Sequence, residues 1–156
     1  MALRSTTRAL LFTVLGINPL WVGSAHAALG GDAASVQADA ADLHGAVNTE
    51  VRQQYDIQEI SAEAGMRVRE YLTRNGVVFA VSWSGPVLPD LQRILGTHFA
   101  EYTAVLKALP HPGLQRSVRV ASSDLVVESG GHLRAYAGRA YLPALIPASV
   151  SAAEIL

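Results

Sequence analysis

Glu70 is the residue with the clearest potential for chemistry, because of where a tight reversal places it. Two strand-like runs, Met66–Thr73 and Val77–Trp83, flank Asn75-Gly76. An Asn-Gly pair is the preferred centre of a type I′ turn, since both central residues then need positive φ. That turn predicts Leu72 opposite Phe79, Glu70 opposite Val81 and Val68 opposite Trp83. Glu70 then shares a face with Val68, Leu72, Phe79, Val81 and Trp83, which is the core face by its apolar content. A buried carboxylate must be paired, hydrogen-bonded or protonated. Glu70 is therefore a candidate acid/base or ligand-binding group, and the plainer alternatives are an ion pair with an arginine such as Arg134 or Arg139, or exposure at the sheet margin. The opposite face carries Arg67, Arg69 and Tyr71, joined by Arg134 from a later strand. These four are a candidate basic–aromatic surface for an anion or acidic polymer. The plainer alternative is a solvated face with snorkelling arginines.

Ser123, Asp124 and His132 have the residue types of a hydrolase triad. If Gly130-Gly131 is the turn of a second hairpin, however, Ser129 lies opposite His132 and Asp124 is left along the strand. The chain has no Gly-x-Ser-x-Gly elbow. His44, His98, His111 and His132 are not spaced with one another or with carboxylates as metal ligands are. Gly30-Gly31 and Gly130-Gly131 lack the longer fingerprint of a phosphate loop. With no cysteine anywhere, thiolate chemistry and disulfides are excluded. No cofactor or metal is expected.

The elements that would position these groups follow from periodicity. Asp32 can cap a helix over Ala33–Leu43, with Val36, Ala40 and Leu43 on one face and Gly45 as its stop. Val51–Ile60 alternates loosely as a strand, and Ala64-Gly65 is a turn. Gly85-Pro86 ends the run that follows Asn75-Gly76. Pro89 then opens a helix, where the missing N–H costs nothing. Leu91, Ile94, Leu95, Phe99, Tyr102, Val105, Leu106 and Leu109 recur at spacings of three and four, predicting one long amphipathic helix. Val118–Leu142 returns to strand, with Ser122-Ser123-Asp124 as a turn or a bulge. Ala148–Leu156 is expected to be an extended or short helical arm. Strands clustered on either side of one long helix predict an α+β fold. Its antiparallel sheet would be built from two hairpins, with the helix packed against Val68, Leu72, Phe79, Val81 and Trp83.

Residues 1–27 have the order of a secretory signal peptide: Arg4 and Arg8, an apolar stretch from Ala9 to Val22, then Ala25-His26-Ala27. The apolar stretch is too short for a spanning helix, and no twin arginine is present, which favours the general secretory route. Cleavage would leave residues 28–156 as a single domain with N- and C-terminal arms. That remainder has ten basic and thirteen acidic residues, a formal charge of −3. Such a balance gives no support for a nucleic-acid binder. Half the chain is hydrophobic, which excludes long disorder.

The chain resembles the proteobacterial domain-of-unknown-function family 2844. The resemblance rests on Ala28-Leu29-Gly30-Gly31, Val68-Arg69-Glu70-Tyr71, and Val78-Phe79-Ala80-Val81 with Trp83 and Gly85-Pro86. It continues through Leu88-Pro89-Asp90-Leu91, Leu95-Gly96, Asp124 to His132, and Gly138-Arg139-Ala140-Tyr141. It implies an exported, periplasmic protein and brings no activity or catalytic residues. The expected role is a non-enzymatic binding or accessory module of the cell envelope, whose partner is an envelope protein or an anionic ligand. The alternatives are a small hydrolase using Glu70 or the Asp124/His132 region, and a self-assembling structural protein.

Overall fold

The computed structural model describes residues 29–62, 65–110 and 117–156. The signal-peptide pattern of residues 1–27 and His111 lie outside them. Helix α1 (Ala33–Asp42) begins where expected, because Asp32 accepts from the amides of Ala34 and Ser35. Strands β1 (Ala46–Val51), β2 (Tyr55–Ser61), β3 (Arg67–Thr73) and β4 (Val78–Gly85) follow. Next come α2 (Leu91–Leu95), α3 (Phe99–Ala108), β5 (Ser117–Ala121), β6 (Val126–His132) and β7 (Ala135–Tyr141). The strands form one seven-stranded sheet in the order β1-β2-β3-β4-β7-β6-β5, antiparallel throughout. The fold is α+β. Among the described residues, no helix is long and apolar enough to cross a membrane.

Three expectations need correction. The sheet is larger than two hairpins. It gains the edge strand β1, whose side chains are almost all exposed and so carry no apolar alternation. The long helix is broken: α2 ends at Gly96, whose φ of 51° and ψ of −121° suit only glycine, and a short 3₁₀ turn leads into α3. Pro89 precedes the helix; Asp90 is the cap, accepting from the amides of Gln92 and Arg93. The Gly130-Gly131 pair is not a turn. Both glycines lie inside β6, and the chain reverses at Leu133-Arg134, with Arg134 at a φ of 66°. The observed register buries Val127 and Ala140 on one face and Val126 and Tyr141 on the other, and this burial overrides the local preference of Gly-Gly for a turn.

The β3–β4 reversal also departs from a type I′ turn. Gly76 donates to the Thr73 carbonyl and Thr73 to that of Val77, closing a three-residue loop with only Gly76, at a φ of 77°, left-handed. This shifts the pairing by one residue, so Leu72 faces Val78. A β-bulge at Phe79 then restores the register, and Tyr71–Ala80, Glu70–Val81 and Val68–Trp83 pair. The bulge turns Phe79 to the far side of the sheet. Contrary to expectation, it packs with Tyr55 and Tyr71, while Trp83 stays under the helices with Ile94, Leu95 and Tyr102.

Two apolar clusters result, one on each face. The helix side holds Val36, Val68, Leu72, Val81, Trp83 and Leu95. The other side holds Tyr55, Ile57, Tyr71, Phe79, Val126 and Tyr141, closed over by Ile155. The C-terminal segment is therefore docked and is not a free arm. Its 3₁₀ turn, Ala152–Glu154, is fixed by a capping box between Ser151 and Glu154.

Candidate functional site

Antiparallel pairing sets side chains in transverse rows, one residue from each strand. On the face away from the helices, three rows succeed one another. The first is Ile57, Tyr71, Ala80, Tyr141 and Val126, and it lies in the apolar cluster beneath the C-terminal segment. The second is Glu59, Arg69, Ser82, Arg139, Glu128 and Arg119. The third is Ser61, Arg67, Ser84, Ala137, Gly130 and Ser117. The face thus changes over three rows, four residues along each strand, from covered and apolar, through charged, to small and open.

The charges form two clusters, one within the second row and one that joins Arg67 of the third row to Glu59 and Arg69 of the second. Glu59 meets Arg69 Nε at 2.6 Å through Oε2 and Arg67 Nε at 3.2 Å through Oε1. Glu128 meets Arg139 Nη2 at 2.6 Å through Oε2 and Arg119 Nε at 3.2 Å through Oε1. Each glutamate is held between an inner and an outer arginine.

The inner pair is occupied. Arg69 Nη1 donates to the main-chain oxygen of Leu156 at 2.9 Å, and Arg139 Nη1 donates to those of Ala152 and Ile155 at 2.8 and 3.2 Å. The hydrogen bond to Glu59 raises the Arg69 pKa above its ordinary value. The outer pair is not so engaged. The side chains of Arg67 and Arg119 are 54% and 66% exposed, and among the described residues each guanidinium is ion-paired with one glutamate, through Nε, and makes no hydrogen bond through its terminal nitrogens.

A cavity of about 920 Å³ opens over this half of the face. Arg67 and Arg119 stand at its two sides, Ser84, Ala137 and Gly130 form its floor, and Ile155 and Leu156 lie along its edge. Its lining also takes in Trp83, Val118, Leu109 and Pro110 from the helix side. Gly138 is required there, because a Cβ would lie 2.3 Å from Trp83 Cζ2 and 2.6 Å from the Glu128 carbonyl oxygen. Trp83 Nε1 is buried with no hydrogen-bond partner among the described residues.

Of the expected basic–aromatic surface, Arg67 and Arg69 do line this groove. Tyr71 does not: it is 1% exposed, accepting from the Leu156 amide at 2.9 Å and donating to the Leu156 oxygen at 2.7 Å. Arg134 sits exposed in the β6–β7 turn, outside the lining. Sequence reasoning missed Arg119, Arg139, Glu59 and Glu128 as one site. Their signal was there: a charged residue set between or after valines, as in Val118-Arg119-Val120, marks a strand whose charges face away from the core.

Glu70 is buried on the helix side, as its pairing with Val81 required, at 1% exposure. Neither Arg134 nor Arg139 reaches it; Arg139 is held by Glu128 instead. Its Oε2 has no hydrogen-bond partner among the described residues. Burial, with the nearby Asp39 charge adding to it, pushes its pKa up to about 8. Asp39 lies on α1 and is itself contacted by Arg93 Nε at 3.7 Å. Glu70 is thus protonated at neutral pH and forms no part of the groove lining. His132 and Asp124 are separated by nearly the whole of β6, and Ser129 pairs with Gly138 instead of with His132. Ser122 Oγ organises the β5–β6 turn, accepting from the amides of Asp124 and Leu125 while bonding Glu101 of α3. His44 lies after α1 with a φ of 48°, and His98 Nδ1 lies 3.8 Å from Glu101. Among the described residues, no three histidines or carboxylates cluster as metal donors.

Fold and site together define an α+β protein with one antiparallel sheet, whose open face carries a groove flanked by two arginine–glutamate clusters. The chain matches the family of proteins of unknown function (DUF2844) over residues 25–155 and belongs to that family. No curated protein and no solved structure matches it.

Proposed function

We propose that this chain is an exported, non-enzymatic binding module of the cell envelope, formed by one domain over residues 28–156, with the arginine-flanked groove as its contact surface for an anionic ligand. One observation carries the reading. Arg67 and Arg119 flank an open floor of small residues, and their terminal nitrogens are free of protein partners among the described residues. A planar guanidinium with two free terminal nitrogens suits a carboxylate or phosphate, which it can engage bidentately. Four arginines share only two glutamates along the groove, an arrangement that favours an anion there. The position of Glu70 under α1, away from the groove, supports binding over catalysis. The order of residues 1–27 supports export.

Calorimetric titration with citrate and with hexaglutamate, at low and at physiological salt, tests the groove. Binding that weakens with salt and falls at least tenfold in R67Q/R119Q supports it; equal binding by the double variant contradicts it. Intact-mass analysis of fractionated cells tests the location. A periplasmic chain beginning at Ala28 supports export, and a full-length cytosolic chain rules it out.

A further inference from the structure

We infer that the groove takes an extended acidic peptide segment, laid across the strands beside the C-terminal segment and held at both ends, by Arg67 and by Arg119. This rests on the groove being a binding surface and adds the class of ligand and its direction.

The first argument is a peptide already in place. Residues 152–156 cross the sheet from Arg139 on β7 to Arg69 on β3, and the inner arginines hold them through the main-chain oxygens of Ala152, Ile155 and Leu156. The charged row thus binds polypeptide backbone along one side. The open row lies two residues further along each strand, roughly 7 Å away at about 3.3 Å per residue.

The second argument is shape and charge. Ser84, Ala137 and Gly130 raise no side chain above Cβ or Oγ, so a chain can cross the floor without obstruction. The outer arginines repeat the inner ones in chemistry, each sharing a glutamate with its neighbour. They differ in that their terminal nitrogens have no hydrogen-bond partner among the described residues, and they stand at opposite ends of the groove. An occupant with acidic side chains complements both ends, while a neutral peptide would leave both guanidiniums unanswered.

The third argument is span. From β3 to β5 there are four inter-strand steps, or roughly 19 Å at about 4.8 Å each. About six extended residues cover that distance. A ligand of this length engages both arginines at once, and the second contact becomes intramolecular.

The test is a length series of glutamate peptides, with two, four, six and eight residues, titrated into the full protein and into R67Q, R119Q and the double variant. Heparin hexasaccharide and a short polyphosphate serve as other anionic polymers. Both arginines are exposed, and unchanged melting temperatures check that the variants are folded. The expected result is affinity rising at least tenfold between two and six residues and levelling by eight. Each single variant should then bind hexaglutamate no better than the wild type binds diglutamate. Length dependence that vanishes at equal residue concentration overturns the spanning mode while leaving an anion site intact. Polyphosphate or heparin binding in the groove, with hexaglutamate binding absent, overturns the peptide assignment. Failure of every anion to distinguish wild type from the double variant removes the groove as a binding surface altogether.

Discussion

The two faces of the sheet treat carboxylates in opposite ways. Under the helices, Glu70 is packed among Val68, Leu72, Val81 and Trp83, with no arginine against it and one oxygen lacking a partner among the described residues. On the open face, Glu59 and Glu128 each lie between two arginines at the edge of solvent. The same side chain is thus kept neutral by burial on one face and ion-paired on the other. The helix face is a structural core that buries two acids, Glu70 and Asp39, and burial beside Asp39 keeps Glu70 protonated. The open face is a surface whose charges are arranged in rows by strand pairing and remain within reach of a ligand.

Four variants break or sharpen that contrast. The largest effect belongs to the helix face. Trp83→Ala removes a side chain buried under α2 and α3, and about 3–5 kcal/mol of unfolding free energy should be lost in urea titrations. A loss below about 1 kcal/mol would mean that the helices do not rest on it.

Glu70 gives the second effect. Its pKa is raised in the folded state, from an ordinary 4.5 to about 8. The folded protein therefore holds a proton that the unfolded chain releases between those values. Its contribution to stability is whole below pH 4.5 and is lost as pH rises through about 8. Wild type should lose several kcal/mol between pH 5 and pH 9 through this group alone, at about 1.4 kcal/mol for each pH step crossed between the two values. Glu70→Gln should flatten that slope, and chemical denaturation across the pH range reads it. A slope unchanged in the variant would show that Glu70 is ionised in the fold.

Third, Ile155→Ala opens the lid of the second apolar cluster, where the side chain is wholly buried. A cost of about 2–4 kcal/mol is expected. Faster hydrogen exchange at the Leu156 amide, which Tyr71 otherwise holds, should accompany it. The smallest effect falls on the open face: R67Q/R119Q should shift stability by no more than about 1 kcal/mol, because exposed ion pairs contribute little. Its consequence should appear in binding.

What the sequence revealed divides along the same line. Burial of Glu70 was legible because Val81 and Trp83 mark their face whichever loop closes the hairpin. The Asp32 cap was legible because it is a local rule. Phe79 was not, since its side depends on a bulge that offsets a three-residue loop, and nothing in Val77-Val78-Phe79-Ala80 distinguishes the two outcomes. The charged row was hidden behind the register of the second hairpin. Had Gly130-Gly131 been the turn, Glu128 would face Leu133; with the reversal at Leu133-Arg134 it faces Arg139. Gly131 serves close approach instead: a Cβ there would lie 2.2 Å from the Ala135 carbonyl oxygen. Strand β1 escaped notice because an exposed edge strand needs no apolar alternation. The Asp32 cap was readable from local rules, whereas the two turns and everything that depended on their register were decided by strand pairing.

The most direct measurement is amide chemical-shift mapping of the wild-type protein with hexaglutamate. Shifts are predicted to concentrate at Arg67, Ser84, Gly130, Ala137 and Arg119, with Glu70 and its helix-side neighbours unmoved. Shifts centred under α1, scattered over the surface, or absent at saturating peptide would contradict the assignment of function to the open face.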